Sequence, residues 1–307
     1  MTDALAIRTA ARVFFSADLS DEMMAEIQRL VAIITKGTYQ RTITPIAALH
    51  KIPTPANRAF DQAVARMRRI IEEVIRAHRA SNTNQQDLLS MLVSTPSAPS
   101  SGQLADQEIH DQVMTLLVAG SDTSSKILAW TLHLLGQHPD VDDRLRAELE
   151  QELGGRIPDF ADLPRLTYAH RVIAEVLRLY PPVWLLTRTT TADTELGDHP
   201  IAARSMILFS PYQLHRDPAL FPEPHRFDPD RWLPEHAKVM PRGAVIPFGG
   251  GSRKCIGDIF GVTEVTIALA AIVSRWHLRP LPGDEVRPLP QVTLAPTQLR
   301  MAPHSRP

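Results

Sequence analysis

Cysteine occurs once in these 307 residues, at position 255. A single thiol excludes any intrachain disulfide framework, so the fold must be held by its core, as in a protein of a reducing compartment, with the cytoplasm expected. No apolar run approaches the ~20 residues needed to cross a bilayer, so no membrane anchor is expected. The opening MTDALAIRTAARVFFSADLS mixes charges into its apolar positions and has no basic start or small-residue cleavage site, unlike a secretory signal. Charge of one sign is missing too. Lys plus Arg number 33 against 34 Asp plus Glu, without long blocks, which argues against nucleic acid and membrane surfaces and toward a small-molecule partner. There is no internal repeat, no G-x-S-x-G, no G-x-G-x-x-G and no P-loop lysine pattern.

What is present is mainly helical. Residues 56–80 repeat apolar positions at helical spacing with basic residues opposite, predicting one long amphipathic helix. The stretch LADQEIHDQVMTLLVAGSDTSSKILAWTLHLLGQHPD is apolar almost all round, which marks a central helix ending before Pro139. Helices are expected at 141–153 and at 167–180, the latter stopped by Pro181 and Pro182. Threonines and short alternations over 185–210 predict a small β region. A proline-rich loop fills 211–247, a helix follows the cysteine over 258–276, and one or two short strands close the chain. No linker divides the sequence, so 1–307 reads as a single domain.

A lone cysteine is most often a small buried hydrophobe. Its setting here, FGGGSRKCIG, argues otherwise. Gly249, Gly250 and Gly251 permit backbone angles closed to other residues, and Gly257 is expected to do the same beyond the sulfur. The next helix starts near Asp258, so its free N–H groups point back at Cys255 and favour thiolate, the form that ligates metal. One thiolate cannot build a zinc site, and no CxxC or HxxxH supplies more ligands.

The loop matches F-x-x-G-x-R-x-C-x-G in full, through Phe248, Gly251, Arg253, Cys255 and Gly257. Here the sequence resembles the cytochromes P450, haem-thiolate monooxygenases. The resemblance implies haem b with Cys255 as axial ligand, Arg253 on a haem propionate and Phe248 beside the sulfur, the loop including Gly249 lying against the cofactor. Three further motifs stand in the family's order. AGSDTS at 119–124, read alone, is a polar stripe with hydroxyls bonded to the preceding turn. By resemblance, Ala119 and Gly120 lie over the haem, Gly120 leaving room for dioxygen, while Asp122 and Thr123 deliver protons. EVLR at 175–178 could be an ordinary helical ion pair. By resemblance, Glu175 and Arg178 join Arg226 of PHRF in a buried structural network. Arg188 matches a second propionate-binding position. Val183, Trp184, Leu185 and Leu186, with Val292, Thr293 and Leu294, resemble substrate-pocket segments, whose apolar character suits an apolar substrate.

The resemblance therefore implies a mainly α cytochrome P450 fold with a small β region. It implies insertion of one oxygen atom from O2 into an apolar small molecule, electrons arriving from a ferredoxin or flavoprotein. RKCIGDIFGVTE and PPVWLLTR are most similar to bacterial members of terpene metabolism. Set against the family pattern, the chain is expected to start in the middle of the family's first half, without most of its larger sheet. The alternative function is accordingly a non-catalytic relative that binds haem or another ligand, or one completed by a second polypeptide.

Overall fold

The computed structural model describes residues 1–16, 19–44, 46–80, 87–94, 106–283 and 285–305. Ten helices and eight strands follow in order among them: α1 Thr2–Phe15, α2 Asp21–Ile43, α3 Pro55–Ala80, α4 Leu88–Ser94, α5 Asp106–Gln137, α6 Pro139–Leu153 and α7 Thr167–Leu179; then β1 Leu186–Thr189, β2 Thr194–Leu196, β3 His199–Ile201 and β4 Met206–Phe209; then α8 Pro211–Leu214, α9 Pro234–Ala237 and α10 Asp258–Val273; and last β5 Trp276–Pro280, β6 Pro288–Pro290, β7 Leu294–Pro296 and β8 Met301–Ser305. Backbone contacts group the chain into two compact units, Met1–Lys126 and Ile127–Pro307, and the boundary falls inside α5.

The first unit is helical. In α3 the buried positions Ala63, Met67, Ile70, Ile71 and Ile75 recur at three and four residues, as a one-sided stripe requires. They pack with Ile7 and Ala10 of α1, Ile27 and Ile34 of α2, and Val113 and Leu117 of α5. Each Ile, Val, Leu or Met side chain taken from water here contributes about 1.5–3 kcal/mol. Helix α2 is an element the sequence patterns above did not mark. Its start is set by Ser20, whose Oγ accepts the Met23 N–H at 3.2 Å.

The second unit packs α6, α7 and α10 with the end of α5. Its core contains Trp130, Leu145, Leu149, Val172, Ile173, Val176, Val265 and Leu269. Trp130 lies flat on Tyr180, with ring centroids 3.8 Å apart, and its Nε1–H donates to the Leu294 carbonyl at 2.9 Å. Four two-stranded antiparallel sheets complete the unit: β1 with β4, β2 with β3, β5 with β8 and β6 with β7. The tail thus forms four short strands, not one or two. Helix α10 ends at Val273, and Trp276 opens β5 instead of closing that helix. No helix among the described residues is long and apolar enough to cross a membrane.

Candidate functional site

The cysteine loop is a tight turn running into α10. Gly249 and Gly251 adopt φ of +70° and +67°, a region that costs an L-residue about 1–2 kcal/mol. Gly250 and Gly257, at φ −160° and −96°, need no such freedom. Gly257 contributes its backbone instead, through an N–H that donates to Cys255 Sγ at 3.3 Å. The Cys255 N–H in turn donates to the Phe248 carbonyl at 2.9 Å, closing the loop across the glycines. The Phe248 ring packs inward on the helical core, so this residue anchors the turn through both its ring and its backbone. Lys254 pairs with Asp258, and that ammonium, followed by the Ile259 N–H, holds the Asp258 carboxyl below its ordinary range.

Cys255 is exposed, against the usual fate of a lone cysteine. A methyl group built at Gly250 or Gly251 would meet nothing within 4 Å, so the loop fronts open space. Arg253 is exposed and has no hydrogen-bond or ion-pair partner among the described residues, while Ile256 beside the sulfur is 87% exposed. Among those residues no three His, Cys, Asp or Glu converge on a point, so a bare ion finds no donor set. One outward sulfur with an unpaired cation two residues away fits a flat, anionic ligand whose metal carries its own equatorial donors.

Behind the loop lies a buried ion pair. Glu175 and Arg178 have fully buried side chains and meet through two bonds, Nη2 to Oε1 at 2.7 Å and Nε to Oε2 at 2.9 Å. Such a pair is tolerated only when the remaining donors and acceptors are filled. Arg178 also donates to the carbonyls of His215, Pro224 and Arg226 at 2.8, 2.7 and 3.1 Å. Glu175 also accepts from the Asp228 N–H at 3.1 Å, Arg231 Nε at 3.4 Å and Trp232 Nε1 at 2.9 Å. The third cation is therefore Arg231, and the expectation for Arg226 is corrected. The guanidinium of Arg226 reaches only the exposed Glu223, at 3.2 Å, and the network takes its backbone carbonyl. The signal was in the sequence: PHRF at 224–227 is followed by PDRW at 229–232, a second P-x-R-aromatic tetrapeptide five residues on.

His215 was also missed by sequence reading. It is fully buried, and its Nδ1 lies 3.2 Å from the Arg178 carbonyl while its Nε2 accepts the Ile246 N–H at 2.9 Å. Burial first, then the Arg178 and Arg216 charges, lower its pKa to about 4, although its bond to the Arg178 backbone works the other way.

The two segments expected to line a pocket meet in the second unit. The Leu294 N–H donates to the Pro182 carbonyl at 2.8 Å, and Trp184 Nε1–H donates to Gln291 O at 2.8 Å. Val183, Leu185 and Leu186 are half-buried; Thr293 is buried and Val292 exposed. Arg188, on β1, is exposed and donates to the Thr187 carbonyl at 2.8 Å.

In the first unit, AGSDTS sits on α5 as an unbroken helix. Thr123 Oγ1 donates to the Ala119 carbonyl at 2.8 Å, the back-bond expected of a hydroxyl in mid-helix. Ala119 is exposed. Gly120 faces α1: a Cβ there would come within 2.8 Å of Phe14, so close helix packing is what the glycine serves in this structure. Asp122 pairs with Lys126 at 3.3 Å, and Lys126 also meets Asp3 at 3.0 Å. Burial opposes the Lys126 charge, but Asp122 and Asp3 outweigh it and raise the pKa. These groups border a cavity of about 120 Å³ with Ile7, Gln28 and Ser121.

Comparison with known proteins adds three findings. The family model described as "Cytochrome P450" matches residues 2–301. Curated relatives include cyclooctatin synthase and cyclooctat-9-en-7-ol 5-monooxygenase of Streptomyces melanosporofaciens, 52% and 48% identical over 99% and 91% of this chain. Pentalenene oxygenase of Streptomyces avermitilis is 37% identical over 97% of it. The chain spans 66%, 61% and 66% of those three relatives' own lengths. Among solved structures, the haem domain of cytochrome P450DA superposes on the whole chain with a TM-score of 0.88 at 28% identity, and 67% of that domain is covered.

Proposed function

This chain belongs to the cytochrome P450 family, and from that premise we propose that it serves as a haem-thiolate monooxygenase acting on a terpenoid. The observation that carries the reading is the exposed Cys255 sulfur, held outward by Gly257 N–H on a turn of two left-handed glycines. Haem b, when bound, supplies redox-active iron able to activate O2, with two electrons from a ferredoxin or flavoprotein. The balance is one substrate C–H, O2, two electrons and two protons giving an alcohol and water.

The roles of the side chains follow from their chemistry. Cys255 would hold the iron through its sulfur, which stands exposed just ahead of the first turn of α10. Arg253, two residues away and without a side-chain partner among the described residues, offers its guanidinium to a propionate, and Arg188 to a second one. Phe248 and Gly249 shape the turn against the ligand. Thr123 and Asp122 are proposed to relay protons, Thr123 by releasing its bond to Ala119 and Asp122 through the Lys126 side of α5. Val183, Leu185, Leu186, Val292 and Thr293 are proposed to border the substrate, where apolar walls favour a terpenoid body. A thiol that must remain reduced suits the cytoplasm.

The substrate class is supported by the names of the relatives, two of which specify oxidation of cyclooctat-9-en-7-ol or pentalenene. The test is reconstitution with haemin, a ferredoxin and its reductase. The reduced carbonyl complex is expected to show the red-shifted Soret band of thiolate ligation, absent in Cys255→Ala. Turnover is expected for members of a panel containing those two compounds. A carbonyl spectrum without that band defeats the haem-thiolate reading, and a correct band without turnover of any terpenoid defeats the substrate class.

A further inference from the structure

The geometry points to His215 as a positioning residue that fixes the cysteine loop to the buried Glu175–Arg178 pair. The inference rests on the reading of Cys255 as the haem ligand and extends it to a residue outside the loop.

His215 clasps Arg178 in both directions. Its carbonyl accepts from Arg178 Nη1 at 2.8 Å, and its ring Nδ1 faces the Arg178 carbonyl at 3.2 Å. A carbonyl only accepts, so Nδ1 carries the proton. The opposite nitrogen must then be the lone-pair side, and there Nε2 accepts the Ile246 N–H at 2.9 Å. One neutral tautomer satisfies both bonds, and the depressed pKa agrees with a ring held neutral.

Ile246 begins the turn that ends in the sulfur. Its carbonyl accepts the Gly249 N–H at 3.0 Å, and the Phe248 carbonyl then accepts the Cys255 N–H at 2.9 Å. Four hydrogen bonds thus run from the Arg178 carbonyl through His215, Ile246 and Gly249 to Cys255. Gly250 and Gly251 front open space, so the loop is held from its inner end, by the Ile246 backbone and the Phe248 ring. Without the Nε2 acceptor, a half-buried amide at the base of the turn loses its partner, and only the Phe248 ring and the turn's own internal bonds remain to hold its register.

Two variants separate positioning from general stability. His215→Asn keeps a donor for the Arg178 carbonyl but places nothing at the Nε2 position, whereas His215→Gln can extend an acceptor toward Ile246. Hydrogen exchange of the 307-residue chain without haem, compared among wild type and both variants, is the first readout. In His215→Asn the Ile246 amide is expected to exchange roughly tenfold faster while amides of α7 and α10 keep their rates, and His215→Gln is expected to recover most of the difference. The second readout is the carbonyl spectrum after haemin loading, in which the thiolate band is expected to lose area in His215→Asn and regain it in His215→Gln. Unchanged Ile246 exchange in His215→Asn overturns the inference, as does equal acceleration throughout the second unit in both variants. If wild type itself lacks the thiolate band, the haem reading has failed, and the exchange data still decide whether His215 anchors the loop.

Discussion

Cys255 separates chemistry from stability. The side chain is exposed and packs against little, so Cys255→Ser is expected to change unfolding free energy by less than about 0.5 kcal/mol while abolishing the thiolate Soret band. Gly251 does the reverse. Gly251→Ala meets no steric clash, but φ of +67° makes it cost about 1 kcal/mol, visible as a lowered thermal midpoint. The two arginines of the proline-rich stretch give a sharper contrast. Arg226→Ala removes only an exposed contact with Glu223 and is expected to fall within about 0.5 kcal/mol of wild type. Arg231→Ala removes a cation from a fully buried carboxylate and is expected to cost about 1–3 kcal/mol in chemical denaturation. Sequence reading found the cysteine loop because its chemistry is local: glycines, sulfur and helix start lie close together in the chain. It chose the wrong arginine because PHRF and PDRW are equivalent as strings, and only the fold shows which side chain reaches Glu175. Gly120 illustrates the same limit, since nothing in AGSDTS announces that Phe14 of another helix occupies the space beside it.

Among the elements, α7 carries the buried pair, yet Leu166 at its start offers no side-chain cap. Glu148 of α6 caps it from outside: its carboxylate accepts the Tyr168 and Ala169 N–H groups at 2.6 and 2.9 Å and the Thr167 hydroxyl at 3.2 Å. Glu148→Ala is expected to destabilise the chain by about 1 kcal/mol, and Glu148→Gln by less, as read from thermal unfolding. Long helices with one-sided or fully apolar patterns, α3 and α5, were legible within a residue or two at their termini. Helix α2 was not. The β-branched Val31, Ile33, Ile34 and Thr35, with Gly37, are weak helix formers in its middle, and what favours the helix is burial of Met24, Ile27, Val31 and Ile34 against neighbours that no window of sequence contains. The terminal strands escaped for a similar reason. They are three to five residues long, several hold proline, and they exist by pairing with partners such as β8 with β5, some twenty residues away.

At the scale of the molecule, acid is expected to weaken the second unit through His215. Its pKa is about 4 in the folded protein against an ordinary 6.5 in the unfolded chain, so between those values the unfolded chain binds a proton that the native ring refuses. The stabilisation is fully present above pH 6.5 and is lost as pH falls toward 4. The neighbouring Arg178 and Arg216 charges also lower the His215 pKa, so they reinforce the sign. Unfolding free energy measured by denaturant from about pH 7 to about pH 4 is expected to fall for wild type and to fall less steeply for His215→Gln. The family was legible in the sequence because four motifs kept their order.

The closed shell around Glu175 also imposes an order of events during synthesis. Glu175 and Arg178 emerge from the ribosome well before His215, Asp228, Arg231 and Trp232, which complete their bonding. Until residue 232 is available, sealing α7 into the interior would strand two charges with vacant donors and acceptors, so this half of the nascent chain must stay hydrated. Its locking step waits for the stretch just ahead of the cysteine, so the base on which the sulfur loop rests closes only once residue 232 is in place.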